Sequence, residues 1–103
     1  MRAKQMPAKE RKEQLIRLGL QMALKQGYHR IKLQEVADAS SLCTGSVLYY
    51  FTPFTEFKNA VLRRAIKDEI TEIIAQGMAS NDPITADLPK ELKTKVLNYL
   101  VSK

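Results

Sequence analysis

The chain has 103 residues, with 17 Lys and Arg against 11 Asp and Glu, a formal charge of +6. Hydrophobic residues make up 45%, ordinary for a globular domain, so wholesale disorder is excluded as the starting expectation, and the length suits one small domain or a domain with an extension. Cys43 is the only cysteine, which excludes an intramolecular disulfide, and no apolar run approaches the ~18 residues of a membrane span, so a soluble, cytoplasmic protein is expected.

The basic excess favours a polyanionic partner, nucleic acid ahead of an anionic membrane surface. It is unevenly placed. Residues 1–32 hold nine Lys and Arg with two Glu, whereas residues 65–103 hold five Lys with six acids.

Residues 1–6 are basic and unpatterned and read as a flexible arm. From Ala8 to Gln26, the residues Leu15, Leu18, Gly19, Met22 and Ala23 recur at helical spacing, and Gly27 stops the helix. A short helix is predicted over Leu33–Ala39, with Leu33, Val36 and Ala37 inward. The segment Ser40–Cys43 reads as a tight turn, and a third helix as Thr44–Tyr50. Thr52 and Pro53 together signal a helix start, Thr as cap and Pro as first helical residue. The spacing of Phe57, Val61, Ile66, Ile70, Ile73, Ile74 and Gly77 predicts one long fourth helix from Pro53 to about Met78. A breaker-rich linker (Ala79–Asp87) leads to a last helix, Pro89–Val101, with Leu88, Leu92, Val96, Tyr99 and Leu100 on one face. No alternating strand pattern occurs, so the expected class is all-α.

Two short helices joined by a turn of about four residues, behind a longer helix, form a helix-turn-helix pattern. In that geometry the second helix of the pair enters the major groove with its N-terminal residues nearest the base edges. Residues there must be small yet able to hydrogen-bond, and Thr44, Gly45 and Ser46 meet both needs. Tyr49 and Tyr50 at the far end suit phosphate oxygens, which fix register without reading sequence.

Residues from about Leu15 to Val61 resemble the DNA-binding domain of TetR-family bacterial repressors. The residues that carry the resemblance are Gly27-Tyr28, Val36-Ala37, Ser40-Ser41-Leu42-Cys43, Gly45, Val47, Tyr49-Tyr50-Phe51 and Phe57. The resemblance implies a three-helix DNA-binding unit over residues 7–60; residues 61–103 are far fewer than such repressors usually add, and are expected to form a short helical region that dimerises by burying its apolar face against a second copy. It also implies DNA contacts from Lys32, Thr44, Gly45, Ser46, Tyr49 and Tyr50. The sequence departs from the family pattern at several places. Leu48 and Phe54 stand where a Tyr and a phosphate-contacting Lys are usual, Lys32 replaces a capping Thr, Ser41 replaces the turn Gly, and Cys43 replaces the Ser that caps the recognition helix. About 40 residues follow the middle of the fourth helix, too few to enclose a ligand pocket of ~300 Å3 or more, so no small-molecule effector is expected.

The reading is therefore a homodimeric repressor on a palindromic stretch of double-stranded DNA. The alternative is a helical protein-protein adaptor, or a DNA-binding accessory factor without repressor activity. Tyr28 reads as a packing aromatic or a phosphate contact, His29 as a surface residue or a phosphate contact, and Cys43 as a replaced cap or a redox-active thiol. Phe51 and Phe57 are expected in the core. The sequence offers no glycine-rich phosphate loop, no activated nucleophile and no metal-ligand spacing, so neither enzyme activity nor a metal or cofactor is expected.

Overall fold

The computed structural model describes residues 7–102, so the basic arm expected at residues 1–6 lies outside the described residues. The elements in chain order are α1 (Ala8–Gln26), a 3-10 turn (Tyr28–Arg30), α2 (Leu33–Ser40), α3 (Thr44–Tyr50), α4 (Thr55–Lys67), α5 (Thr71–Ala79), a second 3-10 turn (Pro83–Thr85) and α6 (Lys90–Ser102). The described chain is all-helical, and no described helix is long and apolar enough to cross a membrane.

Helix α1 forms the spine. Its stripe buries Leu15, Gly19 and Ala23, which meet Phe57, Val61 and other buried residues of α4 in one continuous core. Full burial of a Leu or Phe side chain stabilises by about 1.5–3 kcal/mol. Gly19 is where α1 and α4 approach most closely: a Cβ there would stand 2.7 Å from Phe57 Cζ and would also collide with Val61. Gly77 does the same for α5, where a Cβ would meet Thr85 Cγ2 at 2.8 Å. At the end of α1, Gly27 takes a φ of +92°, open to glycine and strained for other residues.

The single long fourth helix expected from the spacing is two helices. After Lys67 the chain turns through Glu69 at φ 55°, with Ile70 N–H donating to Ala65 O at 2.8 Å and Glu69 N–H to Ile66 O at 3.2 Å. This is a Schellman ending with a non-glycine in the left-handed position. The apolar period runs on through Ile66, Ile70, Ile73 and Ile74 because both helices bury that stripe, so the spacing contains no sign of the break.

The helix start predicted at Thr52 and Pro53 is also corrected. α4 begins at Thr55, and the Thr52 hydroxyl donates instead to Leu48 O, closing the end of α3.

The breaker-rich linker is an ordered turn. Asp82 Oδ1 accepts from Ile84 N–H at 3.0 Å, the Thr85 hydroxyl donates to Asp82 O at 2.7 Å, and Thr85 itself is buried. Helix α6 packs on α5 and buries Leu92 and Val96, with Leu88 just ahead of it. Most of the face expected to cover a second copy is thus covered within the chain, because the break after α4 frees α5 to pair with α6. Leu97, Leu100 and Val101 stay exposed, as does Leu24 at the end of α1.

Candidate nucleic-acid interface

Helix α2 is held at both ends. Glu35 accepts the Lys32 backbone N–H at 2.9 Å, one half of a capping box; the lysine ammonium has no acceptor to supply the other half. Gln26 of α1 donates to the same Glu35 oxygen at 2.9 Å, tying the end of α1 to the start of α2. These donors, the Lys32 N–H first, hold the Glu35 carboxyl below its ordinary value of 4.5.

The turn into α3 repeats the Schellman arrangement. Ser41 sits at φ 62°, Leu42 N–H donates to Ala37 O at 3.0 Å and Ser41 N–H to Asp38 O at 3.3 Å. The expected turn is present, with serine in the left-handed position.

Helix α3 docks through Val47, which is fully buried, with Leu42 and Tyr50 packed against the same core. That register decides what the helix presents. Gly45 and Tyr49, four residues apart and hence on one face, are both exposed, and Tyr49 is 80% exposed. Thr44 and Ser46 are half-buried beside them, and Lys32 is exposed at the start of α2. Tyr50 differs from Tyr49: it is half-buried and meets the Tyr49 ring edge-on, with centroids 5.0 Å apart. The two tyrosines therefore do not have equal access to a partner.

Cys43 occupies the position before α3, and its Sγ lies 3.2 Å from Ser46 Oγ. The Ser46 hydroxyl, followed by the backbone N–H of Ser46, holds the exposed thiol below its ordinary value of 9.0.

No protein-family model, curated protein or solved structure matches the chain. What α3 does must be read from its own residues and their neighbours.

Of the four glycines, three have a reason inside the fold. Gly19 and Gly77 are pinned by close packing and Gly27 by its backbone angle. Gly45 has neither constraint: a Cβ there would meet nothing nearer than Cys43 Sγ at 3.9 Å. Gly45 is the second residue of α3, in its first turn, where glycine costs less than the ~1 kcal/mol of a helix interior, and no close contact in the fold requires it.

Two lysines stand at the rings that flank the link after α3: Lys12, which the sequence groups with the basic N-terminal residues as a minor-groove arm or a solvated tail, and Lys58, which the sequence pattern does not single out. Lys12 of α1 has its Nζ 5.9 Å from the centre of the Phe51 ring, at the C-terminal end of α3. Lys58 of α4 has its Nζ 5.8 Å from the centre of the Phe54 ring and donates to His29 O at 2.9 Å. Neither was visible as a neighbour of α3 before the helices were packed, since one precedes it by 32 positions and the other lies in the next helix.

Tyr28 belongs to the core, while His29 is exposed. Tyr28 is 1% exposed, and the His29 ring nitrogen lies 2.8 Å from Ser80 Oγ. Phe51 and Phe57 are both buried, with ring centres 5.3 Å apart.

Proposed function

We propose that the chain is a sequence-specific DNA-binding repressor that acts as a homodimer on a palindromic operator, with α3 in the major groove. The observation that carries this reading is Gly45: an exposed glycine in the first turn of α3 that answers no packing or backbone need of the fold is accounted for by a partner that must come close to the helix backbone. Its neighbours suit a duplex. Thr44 and Ser46 hydrogen-bond either base type, Tyr49 offers a projecting hydroxyl for phosphate, and Lys32 adds positive charge. The resemblance of Leu15–Val61 to the DNA-binding part of TetR-family repressors points the same way.

The homodimer has its own support. Leu24, Leu97, Leu100 and Val101 are exposed apolar residues, and Leu24, Ala75, Tyr99 and Leu100 line a groove of about 320 Å3. A two-fold axis through such a face would repeat α3 along the duplex, one helical turn apart (roughly 34–36 Å) or a multiple of it.

Selection of bound duplexes from a random pool tests the reading. Enrichment of a palindrome is the expected result. A pool that shows no binding at low salt overturns DNA recognition, and sedimentation as a monomer at all concentrations overturns the dimer.

A further inference from the structure

The rings of Phe51 and Phe54 bracket the short link between α3 and α4, and each has a lysine ammonium over it from a different helix, Lys12 from α1 and Lys58 from α4. We infer that Lys12 and Lys58 are two phosphate anchors that hold a DNA backbone on either side of that link; the inference rests on the reading of the chain as a DNA-binding protein.

The reason lies in how each cation is held. Three basic side chains are held by a carboxylate that offsets their charge: Arg64 and Arg17 share Glu13, and Lys95 pairs with Glu69. At Lys12 and Lys58 the neighbours are an aromatic face and, for Lys58, a backbone carbonyl. An aromatic face restrains a lysine stem and leaves the full positive charge outstanding. Lys58 spends one N–H on His29 O and keeps two. Neither lysine makes an ion pair among the described residues, and Glu56, in the same helical turn as Lys58, makes none with it.

Lys32 is placed differently. Its charge lies close enough to the Glu35 carboxylate to help lower that group. Lys12 and Lys58 add to the charge that Lys32 supplies at the start of α2.

Phosphate contacts are independent of base sequence, so a short fluorescein-labelled duplex of random sequence is a sufficient probe. Binding is followed by fluorescence anisotropy over a series of KCl concentrations for wild type, K12M, K58M and the double variant. Methionine keeps an unbranched stem on the ring and removes the charge. The logarithm of affinity falls linearly with that of salt, and one fewer neutralised phosphate makes the slope shallower by about 0.9. Both single variants are expected to show this change and the double variant their sum. K12R and K58R are expected to restore the wild-type slope, and removal of Lys90 and Lys93 on α6 to leave it unchanged.

A double variant that is folded by circular dichroism and keeps the wild-type slope overturns the anchors while DNA binding stands. The same holds if K12M and K58M lower the melting temperature alone, for then the rings and lysines serve only the fold. A wild-type chain that binds no duplex at any salt concentration overturns the anchors together with the reading they rest on.

Discussion

The Tyr28 hydroxyl donates a 2.7 Å hydrogen bond to Asp82 Oδ2, joining the end of α1 to the turn after α5 across 54 positions of sequence. Gln76 reinforces the joint: its Oε1 accepts from Tyr28 N–H and its Nε2 donates to Ala23 O, both at 2.9 Å. Burial, and then the hydrogen bond to Asp82, push the Tyr28 phenol well above its ordinary value of 10.0. Tyr28→Phe should lower stability by about 1–3 kcal/mol, the loss expected for a hydrogen bond to a charged partner. Urea unfolding checks this, and an unchanged midpoint would show that the joint adds nothing to stability.

Glu13 fastens α1 to α4 by accepting both nitrogens of the Arg64 guanidinium, with NH2 at 2.6 Å from Oε1. That pairing, with Arg17 beside it, lowers the Glu13 carboxyl from its ordinary value of 4.5 to about 2. A depressed carboxylate favours the fold when ionised, so its contribution is complete above pH 4.5 and disappears as the pH falls to about 2. Glu13→Gln should therefore melt below wild type at neutral pH, and the two melting curves should converge across that acidic window. A gap that persists at its lower end would assign the effect to packing.

Ser41, Glu69 and Asn81 end α2, α4 and α5 in the same left-handed conformation. For a residue with a Cβ this conformation costs about 1–2 kcal/mol, part of which glycine returns as greater freedom of the unfolded chain. Ser41→Gly should raise stability by ~0.5–1 kcal/mol on these grounds. Thermal unfolding measures it; a lower melting temperature would show that the Ser41 side chain has a role in the turn.

Gly45 separates fold from function most cleanly. Gly45→Ala should leave the free protein as stable as wild type or stabilise it by up to about 0.5 kcal/mol, and weaken operator binding by on the order of tenfold or more. Tyr49→Ala should weaken binding to every duplex alike, and Ser46→Ala should change base preference. Gel-shift titrations on selected and scrambled duplexes distinguish these outcomes. If Gly45→Ala binds as wild type does, the close approach proposed for α3 is wrong.

Much of the local structure was legible before the fold was known. The bounds of α1 and α3 follow from apolar spacing and from Gly27, and α2 and α6 lie within one residue of their predicted limits at each end. These elements announce themselves because one helical face of each is buried and because local chain chemistry marks their ends.

The break between α4 and α5 was not legible for the complementary reason. Neither glycine nor proline marks Glu69, and the buried stripe crosses the break without a change of period. A left-handed non-glycine is held there by the packing that follows it. The two tyrosines of α3 show the same division. Their place at the end of a short helix is plain in the sequence, while the docking of Val47 leaves Tyr49 outward and Tyr50 half-buried.

By itself, then, the sequence determined the helical class, the turn between α2 and α3, and the small polar residues at the start of α3, since each depends on neighbours within a few positions. Only the tertiary structure decided that Gly45 is unneeded by the fold, that α6 is covered chiefly by α5, and that Lys12 and Lys58 stand at the two rings beyond α3. Those facts depend on distances between residues far apart in the chain, and such distances exist only once the helices have packed.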